Sequence, residues 1–250
     1  MAGLTGKTIA NGVHTALEIV TDGEGTSSSI RLSDDQLQVR PQNDDTTATF
    51  AVVSKGGTGL LVVDSTNNVV KANSGQDVVN TMYATFHMNS SLWGSAVDDT
   101  HTPLAYGSNM LAGNLPGFGT GTDPNLVFTT AEGTGTRASE LVPCLWYITD
   151  NIAIDSIVSI EGADTATGDT TRMHLYSYTF NSGSTSALTS GTLLGYNSDI
   201  VNAGSEQSYK STWTVSAGDV DAGKVVLAFL KSDSINSDYS ANIYIKYHLR

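Results

Sequence analysis

The chain has 250 residues and a net charge of −13, with 15% charged and 39% apolar side chains. That acidic balance argues against sequence-independent nucleic-acid binding, which needs a basic face, and against docking on an anionic leaflet. The single cysteine, Cys144, excludes an intrachain disulfide, and its apolar run Leu141 to Trp146 reads as the setting of a buried structural thiol.

The missing charge is replaced by hydroxyls, 28 Ser and 31 Thr, which together with 25 Gly and 5 Pro favour strands and tight turns over helices. No segment approaches the ~20 apolar residues of a membrane span. Met1 to Lys7 lacks the apolar core of a secretory signal.

Over the first ~75 residues, very short alternating strands are separated by polar turns. Leu17 and Ile19 precede Asp22 to Gly25, and Ile30 and Leu32 precede Asp34-Asp35. Leu37 and Val39, Phe50 and Val52, and Leu61 and Val63 follow in the same manner, and Val69-Val70-Lys71 closes the series. Each strand offers two or three inward side chains. At roughly 25 cal/mol per Å² that burial falls short of the entropy of ordering the chain. The expectation is a stem whose core (Ile30, Leu32, Leu37, Val39, Phe50, Val52, Leu61, Val63) is shared between identical copies around a symmetry axis. An intrachain meander over 17–72 is the other reading. No apolar heptad supports a coiled coil.

Thr81 to Met88 alternates with Met82, Ala84, Phe86 and Met88 on one face, which predicts a strand. The stretch 89–140 is rich in Gly, Asn and Thr, and no Lys or Arg occurs between Lys71 and Arg137. Long ordered loops are functional surfaces or packed Ω-loops. Trp93 and Tyr106 are the candidate receptor contacts there, and Leu126-Val127-Phe128 is a short apolar patch. Strands are then expected at 141–148, 152–160, 173–180, 191–196, 208–215, 225–231 and 242–249, with a turn cluster over Glu161 to Gly168. Seven short antiparallel strands at this spacing predict a β-sandwich, jelly-roll-like in type. His174, Tyr176, Tyr178 and Phe180 share one parity, and Met173 and Leu175 take the other. A sandwich core claims one parity, so one set is expected at a surface or interface.

Motifs for chemistry fail one by one. Gly218 to Lys224 matches a phosphate-loop spacing, but Val225 replaces the metal-binding hydroxyl, Asp219 and Asp221 would repel phosphate, and a strand pattern follows. The same acidic turn, like Asp164 to Asp169 and Asp22-Gly23-Glu24, lacks the ligands of a calcium loop. The five histidines have no zinc spacing, no nucleophile elbow is present, and Asp98-Asp99 is an isolated carboxylate pair. Asn89-Ser90-Ser91 has the form of a glycosylation site. The expectation is no catalysis, no metal and no cofactor.

The Val-Asp-Ser-Thr-Asn-Asn-x-Val-Lys run from Val63 to Lys71, preceded by Phe50 to Gly57, resembles stem modules of bacteriophage tail-fibre and appendage proteins. Leu32 to Val39 and Ile243 to Arg250 resemble structural proteins of marine phages. The resemblance implies a homotrimeric virion protein whose N-terminal segment (1–28) anchors to other virion proteins. A stem (29–75) and a β-sandwich knob (76–250) follow, the knob facing a host glycan or protein without membrane insertion. A capsid or neck decoration protein and a polysaccharide-degrading tailspike are the alternatives. The tailspike predicts converging carboxylates in a cleft.

Overall fold

The computed structural model describes residues 15–21, 24, 26–72, 76–79, 81–89, 99–109, 115–131, 138–163, 167–233 and 239–250. The chain divides into two compact units, Met1–Asn80 and Thr81–Arg250. The fold is all-β, with a β-sandwich in the second unit.

The first unit holds two antiparallel ribbons. One is β1 (Glu18–Thr21), β2 (Ser27–Leu32) and β3 (Leu37–Val39), paired in that order. The other is β4 (Phe50–Val53), β5 (Gly59–Asp64), β6 (Val69–Ala72) and β7 (Gln76–Val79), each paired with the next. The boundary expected at 28/29 falls inside β2, and 1–14 of the expected anchor lie outside the described residues.

The turn joining β5 to β6 shows what the Val63 to Lys71 run does. Asp64 is buried; its carboxylate accepts hydrogen bonds from the Asn67 amide N–H (3.0 Å) and the Asn67 side-chain amide (2.8 Å). Lys71 Nζ lies 2.6 Å from it. Asn68 takes φ 55°, a left-handed conformation that Asn tolerates. The Lys71 and Asn67 hydrogen bonds hold the Asp64 carboxyl at about 2 against the usual 3.8. The folded value is the lower one, so this contribution is complete above pH ~4 and is lost as pH falls toward ~2. Asp64→Asn is therefore expected to remove the part of the hairpin's acid sensitivity in that window, read from amide shifts of Asn67 and Lys71 during a pH titration.

The second unit is built on β8 (Met82–Met88), β9 (Thr102–Pro103), β10 (Ala105–Tyr106), α1 (Ala138–Leu141), β11 (Trp146–Tyr147) and β12 (Ile152–Ala163). Then follow β13 (Thr170–Phe180), β14 (Leu188–Tyr196), β15 (Ile200–Val201), β16 (Gln207–Thr212), β17 (Thr214–Val215), β18 (Asp219–Val220), β19 (Lys224–Ser232) and β20 (Tyr239–Leu249). One sheet runs β10-β8-β20-β12-β16, with β18 also on β12; the other runs β11-β19-β13-β14-β17, with β9 on β19 and β15 on β13. In sheet order, and leaving aside β9, β10, β15, β17 and β18, β8-β20-β12-β16 faces β11-β19-β13-β14, which is the interleaved order of a jelly roll.

The core lies between the sheets: Ala84, Phe86, Ile157, Ile243 and Ile245 from one side, Met173, Leu175, Leu194 and Ala228 from the other. A bulge in β12, with Ile154 opposite Tyr247 and Ser156 opposite Lys246, leaves Asp155 unpaired. It moves the inward set from Ile152 and Ile154 to Ile157, Ser159 and Glu161.

Two expectations are corrected. The segment 141–148 is not one strand: α1, a 3-10 turn over Val142–Cys144 and the two-residue β11 occupy it. Pro143 has no N–H to give a ladder and a fixed φ suited to a helical first turn. Glu161 to Gly168 is not wholly a turn, because β12 continues to Ala163. Glu161 is fully buried there; the Thr171 hydroxyl lies 2.7 and 2.8 Å from its two oxygens and Asn202 Nδ2 donates at 3.3 Å. Polar residue type suggested a turn, while the carboxylate's partners lay far away in sequence.

Candidate functional site

The outer face of the β19-β13 part of the β11-β19-β13-β14 sheet is covered. Residues 115–131, with His101, lie across it as an overlay, while 102–103 extend the sheet edge as β9 and 105–106 join the other sheet as β10. Phe118 stacks on Phe128 (ring centroids 4.5 Å apart) and meets Phe229 (4.7 Å) and Tyr178 (6.1 Å). The overlay is hydrogen-bonded along its course: Tyr178 Oη donates to Asn125 O (2.9 Å), and the Phe128 and Leu188 N–H groups donate to each other's carbonyls (2.9 and 3.2 Å). A Cβ on Gly191 would stand 2.9 Å from Leu126 Cα, so only glycine lets the backbones approach this closely. His174, Tyr176 and Tyr178 are buried under this layer while Met173 and Leu175 are buried in the sandwich. The expectation that one parity stays at a surface is thus corrected over 173–178, where both faces of β13 are covered, while Phe180 at the strand's end is exposed.

Two imidazoles lie within the seal. His101 and His174 have ring centroids 5.0 Å apart and are 0% and 2% exposed. His101 Nδ1 is 3.1 Å from Gly119 O, the contact of an N–H donor. His101 Nε2 and His174 Nδ1 are buried without a hydrogen-bond partner. His174 Nε2 is 3.7 Å from the exposed Asp123 carboxylate. Burial first, and then the His101 ring, push His174 down to about 3; burial also lowers His101. Both rings are therefore neutral at pH 7. No group of three metal-ligating side chains converges among the described residues.

At one end of the sandwich a cavity of about 130 Å³ is lined by Met82, Trp146, Tyr147, Tyr247 and Leu249, with Asp150 beside them. Tyr106 stands behind this wall. Its ring stacks on Trp146 (5.7 Å, 8° between planes) and tilts against Phe86 (5.4 Å). It is half-buried, and burial raises its hydroxyl. Trp93 lies outside the described residues.

The outer face of the β8-β20-β12-β16 sheet is open, in contrast to the sealed one. Its side chains stand in registered rows. Tyr83, Lys246 and Ser156 form the first; Thr85, Tyr244, Val158 and Thr212 the second; His87, Asn242, Ile160 and Lys210 the third. Tyr83 is 72% exposed, and Tyr244 and Ile160 are 44% exposed. These rows contain two lysines and no carboxylate. Asp155 stands beyond their edge, 2.8 Å from His248 Nδ1. The alternation of β20 announced Tyr244 and Lys246 on one face. The contribution of Val158 and Ile160 was hidden, because the bulge at Asp155 changes the parity of β12.

The residues assigned to a stem core come together in cross-strand pairs. Ile30 faces Val39 and Leu32 faces Leu37 in one ribbon; Phe50 faces Val63 and Val52 faces Leu61 in the other. On the single chain they remain accessible, Leu37 to 68%, Val52 to 44% and Phe50 to 42%. The segment 218–224 holds β18 and the tight turn from it into β19. Asp219 and Asp221 receive Arg250 at 2.9 and 3.1 Å, so its carboxylates serve an ion pair across the sandwich edge.

The described residues define an all-β protein with a jelly-roll unit. No family model matches the chain, and no curated protein matches it. Among solved structures it is similar to the Eiger TNF from S. frugiperda at 11% identity, over 68% of this chain and 93% of that one, with a TM-score of 0.29.

Proposed function

We propose that this protein is a non-enzymatic phage virion appendage: a homotrimeric fibre in which the first unit is the stem and the second a host-facing knob. The observation that carries this reading is the accessible apolar face of the first unit. Phe50 and Val63, Val52 and Leu61 are directly opposed on adjacent strands, where such pairs stabilise a sheet. A ribbon with that face in water is marginal alone. Identical copies related by a closed rotation cover it with no further partner. The resemblance of Val63 to Lys71 to phage stem modules supports the placement on a virion, with attachment through the N-terminal segment.

The test is the mass in solution. Multi-angle light scattering of the intact chain is expected to give three times its 26.2 kDa. Val52→Asp with Leu61→Asp is expected to return it to one copy, with the near-ultraviolet signal of the knob retained. A parent protein that stays a single copy at micromolar concentration overturns the reading. Retention on host cells separates the attachment role from a capsid or neck decoration protein of the same fold, which would show none.

A further inference from the structure

We propose that the open face of the β8-β20-β12-β16 sheet binds an acidic polysaccharide, a chain of uronate or similarly charged sugars. The inference rests on the attachment reading above and names the class of surface the knob recognises. Three features of the face point there. First, three of its rows differ in charge from the rest of the molecule; acids enter the face at the next row, where Ala153 stands between His248 and Asp219 and where Asp155 meets His248. The chain carries 25 Asp and Glu against 12 Lys and Arg, yet the three rows hold Lys210 and Lys246 and no acid. An anionic partner is repelled by the body of the protein and drawn to this face. Second, Tyr83 and Tyr244 sit on neighbouring strands in diagonal register and are exposed. Each offers an apolar ring with a hydroxyl at its tip, the combination that suits a surface both apolar and wet, such as a sugar face. Third, the hydroxyls and amide of Thr85, Ser156, Thr212 and Asn242 surround these rings with donors and acceptors.

The layout favours a polymer over a single sugar. Lys246 and Lys210 are two strands and two rows apart, or about 17 Å at ~4.8 Å between strands and ~3.4 Å per residue. A linear chain crossing the sheet meets both cations and both rings, and many weak contacts add through linked sites. A second copy docking by this same face would set lysine against lysine. A nucleic acid is the other polyanion of comparable charge density, and the oligothymidylate arm of the experiment separates the two.

The experiment uses the intact protein and immobilised alginate as the probe, with neutral dextran and oligothymidylate as controls. Alginate binding is expected, weakening as sodium chloride rises from about 50 to about 500 mM. Tyr83→Ala with Tyr244→Ser, and separately Lys210→Glu, are expected to bind roughly tenfold more weakly, the loss typical of a truncated anchor. Their melting temperatures should match the parent's, since these side chains lie outside the core. Equal retention of the variants, equal retention on dextran, or preference for oligothymidylate overturns the proposal. A variant that changes the oligomeric mass instead of binding also overturns it, by making the face a contact between copies. A trimer that ignores alginate defeats this proposal alone, and a single-copy protein that binds alginate through these residues defeats the stem reading alone.

Discussion

Lowering the pH from 7 to 4 is expected to weaken the second unit by about 3 kcal/mol through His174 alone. The folded protein holds this ring at about 3 against 6.5 for a free imidazole. Between those values the unfolded chain binds a proton that the folded one refuses. Stability is therefore full above pH ~6.5 and falls as the pH drops toward ~3. His101, lowered by the same burial, acts with the same sign. The groups facing the pair do not rescue it. Asp123 is 3.7 Å from His174 Nε2 but lies at the surface, while Arg172 and Lys231 add positive charge nearby. Lys231 is also committed to Asp99 (2.9 Å) and to the carbonyls of Thr120 and Gly121 (3.2 and 2.8 Å). The overlay should loosen before the sandwich, because His101 belongs to it and His174 to the sheet beneath. Amide exchange at Phe118 and Asn125 should rise between pH 6 and 4 while that of Leu227 and Ala228 lags. His174→Phe, which replaces a ring with an unpartnered nitrogen by an apolar one, should flatten this limb and leave the protein at least as stable at pH 8. An acid limb as steep in the variant as in the parent would show that other groups set it.

How much of this was legible in the residues depends on where each side chain's partner lies. β8 and β20 could be read outright, because each has one face in the core and one in water, and alternation reports that directly. The pairing of Ile30 with Val39 and Phe50 with Val63 is likewise local, set by hairpin turns a few residues long. β13 could not be read so simply. His174, Tyr176 and Tyr178 alternate with Met173, Leu175 and Ser177, yet all six are buried, since a second layer arrives from residues about fifty positions earlier. Nothing within the strand encodes that layer. Glu161 failed for the same reason: its hydroxyl and amide partners come from elsewhere, Thr171 from β13 and Asn202 from the loop after β15. The open face was half visible. β20 displayed Tyr244 and Lys246 and β8 displayed Tyr83, but the register that places Ile160 on the same face depends on a bulge without a sequence mark of its own. From composition, 89–140 reads as a loop that carries Trp93, Tyr106 and the patch Leu126-Val127-Phe128. In the fold Phe118 and Phe128 are the centre of a third layer, and Tyr106 supports the wall of an aromatic cavity.

Phe118→Ala should be the most damaging single truncation in that third layer, costing about 3–5 kcal/mol. The ring is 0% exposed; it stacks on Phe128 within the overlay and meets Tyr178 and Phe229 of the sheet. Removing it deletes the transfer energy of a buried aromatic. It also leaves a cavity against a sheet that cannot collapse to fill it, because Leu104 N–H to Ala228 O (2.9 Å) and Phe128 N–H to Leu188 O (2.9 Å) tie the overlay down on both sides. For a unit of this size the melting temperature should fall by on the order of ten degrees. Protease should then cut first near 115–125, the stretch that carries this ring. The open face is carried by the opposite sheet, so binding to alginate by the folded fraction should be unchanged. Phe128→Leu keeps most of the volume and should cost about 1 kcal/mol. A loss below about 1 kcal/mol for Phe118→Ala would mean that the overlay is held by its backbone hydrogen bonds and that the aromatic cluster merely fills the space beneath them.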